Sequence, residues 1–148
     1  MSCIKDIALR EPLVDNVDSR FINTTSCVFK EVDIMTVKKE DLIFTAPFEI
    51  KAKRNDYVHA FIAWFDIWFN ASHKPVYFTT SPYGKYTHWK QTVFYTRQTL
   101  NVSTDDVIRG SISCKPNLRN PRDLDITISY EFQGQNDSGT DTIKYKMC

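Results

Sequence analysis

Alternation of apolar and polar residues with a period of two is the feature that most constrains this chain. The pattern runs through residues 48–53, 108–114, 124–132 and 142–147. Because successive side chains of a strand point to opposite faces, each of these segments predicts a strand with one face in a core and the other in water. Such strands favour a mainly β fold whose sheets cover a single interior.

Turn-forming sequences separate these segments. They combine proline, glycine and asparagine as tight turns require, at residues 81–84, 115–117, 120–122 and 136–139. Many short strands joined by turns predict a barrel or a sandwich. A chain of 148 residues fits one domain, and no repeat or linker divides it, so we expect one mainly β domain over residues 1–148.

Residues 57–69 form the most apolar run, which His59 and Asp66 interrupt. The run is too short for a membrane span, and we expect no membrane association. Apolar residues occupy both of its faces. We therefore predict one long strand that is covered on both sides, with His59 packed inside it.

The N-terminus departs from the period of two. Ile4, Ile7 and Ala8 fall at helical spacing, and Pro12 disfavours helical geometry at the residue before it. We predict a short helix that ends near Arg10. Since such a helix is too short to be stable alone in water, it must dock on another surface.

The distribution of charge argues against a nucleic-acid partner. The sequence has 19 basic and 18 acidic residues, which are interspersed, and its formal net charge is +1. Without a basic stripe, no direct binding of nucleic acid is expected. The first residues also lack the continuous apolar stretch of a secretory signal. The four cysteines are therefore expected to be free thiols in a reducing cytosol or nucleus. They are Cys3, Cys27, Cys114 and Cys148.

Residues for several common active sites are missing or wrongly spaced. None of the four glycines has the spacing of a phosphate-binding or dinucleotide-binding loop. The three histidines, His59, His73 and His88, are not at metal-ligand spacing, and no Cys-x-x-Cys occurs. No serine lies in a nucleophile elbow. The sequence therefore predicts no metal site, no nucleotide site and no free-standing hydrolase.

One segment, residues 81–95, combines a Pro/Gly turn with an aromatic-rich strand. Thr87, His88 and Trp89 stand at the junction between the two. A histidine in this position can make an orienting hydrogen bond while the neighbouring indole shields it from water. From these residues alone, the alternative is the capped start of a strand with a half-buried tryptophan.

The Thr-His-Trp triplet resembles the loop of that sequence in type I protein arginine methyltransferases. Four blocks of the chain, in order, are similar to the C-terminal region of that family: residues 3–15, 53–61, 86–95 and 120–130. The likeness extends over nearly the whole chain. The likeness is greatest to a fungal form of the family's predominant member.

This resemblance implies a β-barrel that follows an α/β cofactor domain. The complete enzyme transfers methyl groups from S-adenosylmethionine to arginine, giving asymmetric dimethylarginine in Arg-Gly-rich proteins and histones, in the cytoplasm and the nucleus. His88 matches the catalytic histidine of the family's loop, which pairs with an acidic residue of the cofactor domain. Thr87 and Trp89 belong to the wall of the substrate pocket. The resemblance assigns no cofactor-binding or metal-binding residue to this chain.

The family's cofactor domain has no counterpart in this sequence, which begins within the family pattern. That domain would hold S-adenosylmethionine, the acidic pair that binds the substrate guanidinium, and the acid that pairs with His88. Family members form homodimers through an arm that docks on the partner's cofactor domain, and residues 1–11 resemble the end of the arm helix. We therefore expect the chain alone to bind no cofactor and to be inactive.

Two hypotheses of other classes stay open. A stand-alone barrel could act as a regulatory or interaction module on a full-length enzyme. Trp64, Trp68 and Trp89, together with the glycosylation triplets, would instead suit an aromatic-rich secreted sandwich that binds carbohydrate. We interpret the triplets as the composition of polar loops. They lie at Asn23, Asn70, Asn101 and Asn136.

Overall fold

The computed structural model describes residue 7 and residues 9–148. Most of the predicted N-terminal helix lies outside these residues. Within them, Ile7 is helical and a turn follows. The backbone N–H groups of Arg10 and Glu11 both donate to the carbonyl oxygen of Ile7, each at 3.0 Å. The turn closes directly before Pro12, which has no N–H group to continue it.

Strands make up about half of the described part of the chain and helices very little of it, which confirms the predicted mainly β fold. They are β1 (Leu13–Asp15), β2 (Phe44–Lys51), β3 (Asp56–Ala63), β4 (Asp66–Phe69), β5 (Val76–Thr79), β6 (Gln91–Val102), β7 (Val107–Pro116), β8 (Leu124–Gln133) and β9 (Ser138–Met147). Two short 3₁₀ helices, Ser19–Phe21 and Lys39–Leu42, lie between β1 and β2.

Strands β2, β7, β8 and β9 form an antiparallel sheet in that order. One row across it pairs Ala46 with Ile112, Ile112 with Ile128, and Ile128 with Ile143, and all four residues are buried. Complete burial of each isoleucine contributes about 1.5–3 kcal/mol to stability. The next row along the strands carries mainly hydroxyl groups, as at Ser113. The period of two therefore predicted the core-facing side of each strand correctly.

Strands β1, β6 and β3 form a second antiparallel sheet with β6 in the centre. Val58 of β3 and Leu100 and Val102 of β6 join the apolar residues of the first sheet in one core. The two sheets thus enclose a single interior, and the expected β-barrel is confirmed. The N-terminal segment helps to join the sheets, because the N–H group of Lys146 in β9 donates to the carbonyl oxygen of Arg10 at 2.8 Å, while β1 pairs with β6.

The prediction of one long strand over residues 57–69 is wrong. The chain leaves β3 at Ala63, and β4 pairs with β5 in a separate two-stranded hairpin. Phe65 marks the break, because its N–H and C=O groups bond to Thr80 instead of continuing the ladder of β3. Trp68 is 57% exposed, so the run is not covered on both sides. Because apolar residues occupy both faces of this run, its sequence shows no period of two whose interruption would mark the break.

His59 is exposed, so its predicted packing inside the strand is also wrong. The register between β3 and β6 shifts between Val58 and Ala60, with Val58 opposite Leu100 and Ala60 opposite Tyr95. The bulge on β6 leaves His59 without a paired residue across the ladder, and its side chain faces solvent. A bulge of this kind has no signature in the sequence of β3 itself.

Of the remaining sequence predictions, some are confirmed and others are wrong. Cys27, Cys114 and Cys148 are free thiols, as expected, and Cys3 lies outside the described residues. Asn101 lies within β6, so its assignment to a loop is wrong. The asparagines of the other three triplets lie between strands. In the part of the chain that is described, no helix is both long enough and apolar enough to cross a membrane.

Candidate functional site

The Thr-His-Trp triplet lies in a tight turn that leads directly into β6. The N–H group of Lys90 donates to the carbonyl oxygen of Thr87 at 3.3 Å, so His88 and Trp89 occupy the two central positions. Lys90 has a φ of 55°, in the left-handed region that costs about 1 kcal/mol or more for a residue with a side chain. The backbone thus holds the two side chains at a sharp change of direction immediately before a buried strand.

Trp89 packs against the hairpin formed by β4 and β5. Its ring stacks on that of Phe78, with centroids 5.6 Å apart and planes at 26°, and meets the ring of Phe65 edge-on at 6.0 Å. The residue is nevertheless 58% exposed. The indole is therefore fixed on one side by aromatic contacts and open to another molecule on the other.

His88 is exposed beside Trp89, and the ring of Tyr86 meets its imidazole edge-on at 6.2 Å. Over residue 7 and residues 9–148, no side-chain hydrogen bond to the imidazole is found. Both ring nitrogens are consequently accessible to a group from another chain or domain. A single hydrogen bond at one nitrogen would fix which tautomer the ring adopts.

Thr87 differs from its two neighbours because its hydroxyl oxygen is buried. Among the described residues this oxygen has no hydrogen-bond partner. A buried hydroxyl without a partner costs about 1–3 kcal/mol. The turn therefore combines one exposed imidazole, one half-fixed indole and one unsatisfied hydroxyl over three consecutive residues.

A buried polar network supports the base of the turn. Gln91, the first residue of β6, is 4% exposed, and its side-chain amide donates to the carbonyl oxygen of Thr80 at 2.7 Å. Thr80 is 1% exposed and bonds in turn to Phe65, its hydroxyl donating to the Phe65 carbonyl oxygen at 2.8 Å. Sequence reasoning missed both polar residues. The available signal was that Gln91 falls in phase with buried Val93, where an apolar residue is usual.

Exposed aromatic rings surround the turn. Tyr83 is 55% exposed and Tyr86 63%, and the ammonium group of Lys53 lies 5.7 Å from the centre of the Tyr83 ring. A cation above an aromatic face gains about 0.5–2 kcal/mol, so a surface of this kind suits a positively charged ligand group. Over the ranges that the structure describes, no three His, Cys, Asp or Glu side chains are grouped so as to hold a metal ion.

Comparison with known families identifies the domain. The family described as arginine methyltransferase oligomerization subdomain matches residues 1–135. This chain belongs to that family. The oligomerization subdomain seen here is 54% identical over 150 residues to protein arginine N-methyltransferase 1 of Schizosaccharomyces pombe, which covers 99% of this chain and 44% of the relative. It is 53% identical to the protein of the same name from Chlamydomonas reinhardtii, covering 99% of this chain and 43% of the relative.

Solved structures agree with this assignment. A chain of the Trypanosoma brucei PRMT1 enzyme-prozyme heterotetrameric complex with AdoHcy superimposes with a TM-score of 0.95 at 36% identity, over 99% of this chain and 47% of that one. Arabidopsis thaliana protein arginine methyltransferase 10 shares the fold, with a TM-score of 0.86 at 20% identity over 93% of this chain and 42% of that one. The oligomerization subdomain thus spans less than half the length of the relatives that it matches.

Proposed function

We propose that this chain is the substrate-binding and dimerisation half of a type I protein arginine methyltransferase. The complete enzyme would transfer methyl groups from S-adenosylmethionine to arginine side chains, giving asymmetric dimethylarginine in Arg-Gly-rich proteins and histones. The observation that supports this most is the exposed His88–Trp89 turn on a rigid base, in a chain 54% identical to a protein arginine N-methyltransferase 1. An exposed turn of this kind suits one wall of a pocket that a second domain completes.

His88 takes the orienting role in this proposal. Its accessible imidazole would pair with a carboxylate of the cofactor domain, which would fix the position of that carboxylate beside the substrate. Trp89 and Thr87 would form the pocket wall, with the open face of the indole attracting the guanidinium. Since a guanidinium has a very high pKa and stays charged, alignment and charge stabilisation contribute more than proton acceptance by His88.

The cofactor is assigned to the other half of the enzyme. The described residues contain no glycine-rich junction between a buried parallel strand and a helix, which is the usual cradle for a nucleotide-like cofactor. S-adenosylmethionine, which supplies the methyl group, is therefore not assigned to any residue of this chain. For the same reason we propose that the isolated chain is inactive.

The N-terminal segment is proposed as the end of the dimerisation arm. Residues 1–11 would complete an arm helix that docks on the cofactor domain of a second subunit, giving a homodimer. The family description names oligomerization, and a 36% identical relative is part of a heterotetramer. The bond from the Lys146 N–H group to Arg10 O would anchor the base of the arm on β9. We propose a cytoplasmic and nuclear location, without direct binding to nucleic acid or membranes.

A chimera tests the proposed function. This chain replaces the matching region of the Schizosaccharomyces pombe relative, and the chimera is incubated with S-adenosylmethionine and an Arg-Gly-rich peptide or a histone. Mass spectrometry should detect asymmetric dimethylarginine with the chimera and none with the isolated chain. A folded chimera that binds S-adenosylmethionine but yields no dimethylarginine would contradict the assignment. Product from the isolated chain would contradict its status as one half of an enzyme.

A second function, regulation of a full-length enzyme by a separate barrel, is favoured by one observation. The 36% identical relative occurs in an enzyme-prozyme complex, in which two kinds of subunit associate. If this chain acts in that way, it should co-purify with a full-length arginine methyltransferase and change its turnover. An unchanged turnover at saturating amounts of the chain would remove this hypothesis.

A further inference from the structure

Gln91 is a buried amide between two parts of the chain that are distant in sequence. Its side-chain oxygen accepts a 2.8 Å hydrogen bond from the N–H group of Val17, 74 residues earlier. Its side-chain nitrogen donates to the carbonyl oxygen of Thr80 at 2.7 Å. With 4% of the residue exposed, these bonds are shielded from water, and the loss of either one would leave a polar group unpaired.

The two ends of this bridge have different neighbours. Val17 follows β1, and Asp15 of β1 is paired directly with Gln91 across the ladder. Upstream of β1 lies the segment proposed as the end of the arm. On the other side, Thr80 binds the backbone of Phe65, whose ring contacts Trp89. A continuous set of contacts thus runs from the segment after β1 to the indole of the turn.

Gln91 is also adjacent in sequence to the turn that holds His88 and Trp89. It immediately follows Lys90, whose left-handed backbone closes the turn that holds His88 and Trp89. A shift of the amide would therefore be transmitted to the turn through the main chain and through the Thr80–Phe65 contact. An apolar residue of similar size would fill the same space without joining the two segments.

We propose that Gln91 is a positioning residue, which couples the segment after β1 to the geometry of the His88–Trp89 turn. The consequence for catalysis rests on the proposed function, because only there does the turn meet a substrate and the upstream segment meet a partner subunit. In the assembled enzyme, displacement of the arm would then alter the placement of His88. The coupling itself is a property of this chain and is measurable without any methyl transfer.

Nuclear magnetic resonance on the 148-residue chain tests the coupling. The indole N–H signal of Trp89 is assigned by its loss in Trp89→Phe, and it reports the turn. Val17→Pro removes the donor to Gln91 at the distant end. Asn16→Pro is the matched control, because the N–H group of Asn16 bonds only to the adjacent Asp15 side chain.

Val17→Pro should move the Trp89 indole signal, and Asn16→Pro should leave it in place. Amide exchange in residues 80–90 should become about tenfold faster in Val17→Pro, the factor expected for the loss of one hydrogen bond from a local opening. Exchange in β7, β8 and β9 should stay unchanged in the same sample. A general acceleration over all strands, or an unmoved indole signal, would overturn the proposal.

A double substitution tests whether the effect passes through Gln91. Gln91→Met keeps the length of the side chain and removes both hydrogen bonds. In the Gln91→Met background, Val17→Pro should produce no additional shift of the indole signal. An equal and additive shift would show that Val17 acts on the turn by another route and would overturn the proposal. Should Gln91→Met fail to fold, the comparison of Val17→Pro with Asn16→Pro decides. Activity of the chimera is not needed for either result.

Discussion

The phenolic hydroxyl group of Tyr145 in β9 donates a 2.6 Å hydrogen bond to the carbonyl oxygen of Tyr95 in β6. The Tyr145 ring also meets that of Phe94 edge-on, with centroids 5.1 Å apart. These contacts join the two sheets at a place where β6 and β9 share no ladder of backbone hydrogen bonds. Closure of the barrel therefore depends on side chains at this seam.

Two tyrosines on the core side give a matched pair of substitutions. Tyr145→Phe removes a satisfied hydroxyl and should lower the free energy of unfolding by about 1 kcal/mol. The Tyr130 hydroxyl is buried and has no partner among the described residues, so Tyr130→Phe should leave stability unchanged or raise it slightly. Urea unfolding of both variants measures the difference. Equal losses of stability would contradict the distinct roles of the two hydroxyls.

The same two tyrosines should make the folded chain less stable in alkaline solution. Burial raises the pKa of Tyr145, and likewise that of Tyr130, above the ordinary value of 10.0. The unfolded chain then releases these protons at a lower pH than the folded chain. The stabilising contribution is complete below pH 10 and is lost as the pH rises further. In Tyr145→Phe, the decline of the unfolding free energy above pH 10 should be shallower, as measured by urea titration at successive pH values. An unchanged slope would contradict this assignment.

Gly110 allows close packing between three strands. A β-carbon at this position would lie 2.1 Å from the carbonyl oxygen of Ser129 and 2.8 Å from the ring of Phe48. Gly110→Ala should therefore destabilise the chain by about 3 kcal/mol, because the backbone of β8 cannot yield as a side chain can. Gly139→Ala is the control, since its nearest contacts, at 3.0 and 3.1 Å, are the ends of side chains. Thermal unfolding should rank Gly110→Ala far below Gly139→Ala, and similar midpoints would refute the packing argument.

The sequence predicted the strands that have one buried face and failed where that condition does not hold. The alternation in β8 gives both the strand and its core side, since residues such as Ile128 and Ser129 face opposite sides of the sheet. Residues 57–69 have apolar side chains on both faces, so neither the break at Phe65 nor the exposure of His59 could be located. Those features depend on Thr80 and on a bulge in β6, which lie elsewhere in the chain.

The candidate site could be located from the sequence only in part. The sequence placed Thr87, His88 and Trp89 between the Pro/Gly turn at residues 81–84 and a strand, and the family resemblance suggested their roles, but the second turn that closes at Lys90 was not predicted. Its support by Gln91 depends on a contact with Val17 across 74 residues, and no local pattern specifies such a contact. The one sign of this support in the sequence was that Gln91 falls in phase with buried residues of β6 such as Val93.

Substitution of His88 in the chimera with the fission-yeast relative tests the central claim most directly. If His88 orients the substrate site from the barrel side, His88→Ala should lower kcat by about 100-fold, because alignment of the reacting groups is lost. Its affinity for S-adenosylmethionine should stay at the level of the unsubstituted chimera, since the proposal assigns that site to the other half. His73→Ala, at an exposed histidine between β4 and β5, should retain full turnover. An unchanged kcat in His88→Ala, or a large loss of S-adenosylmethionine affinity, would contradict the role assigned to His88.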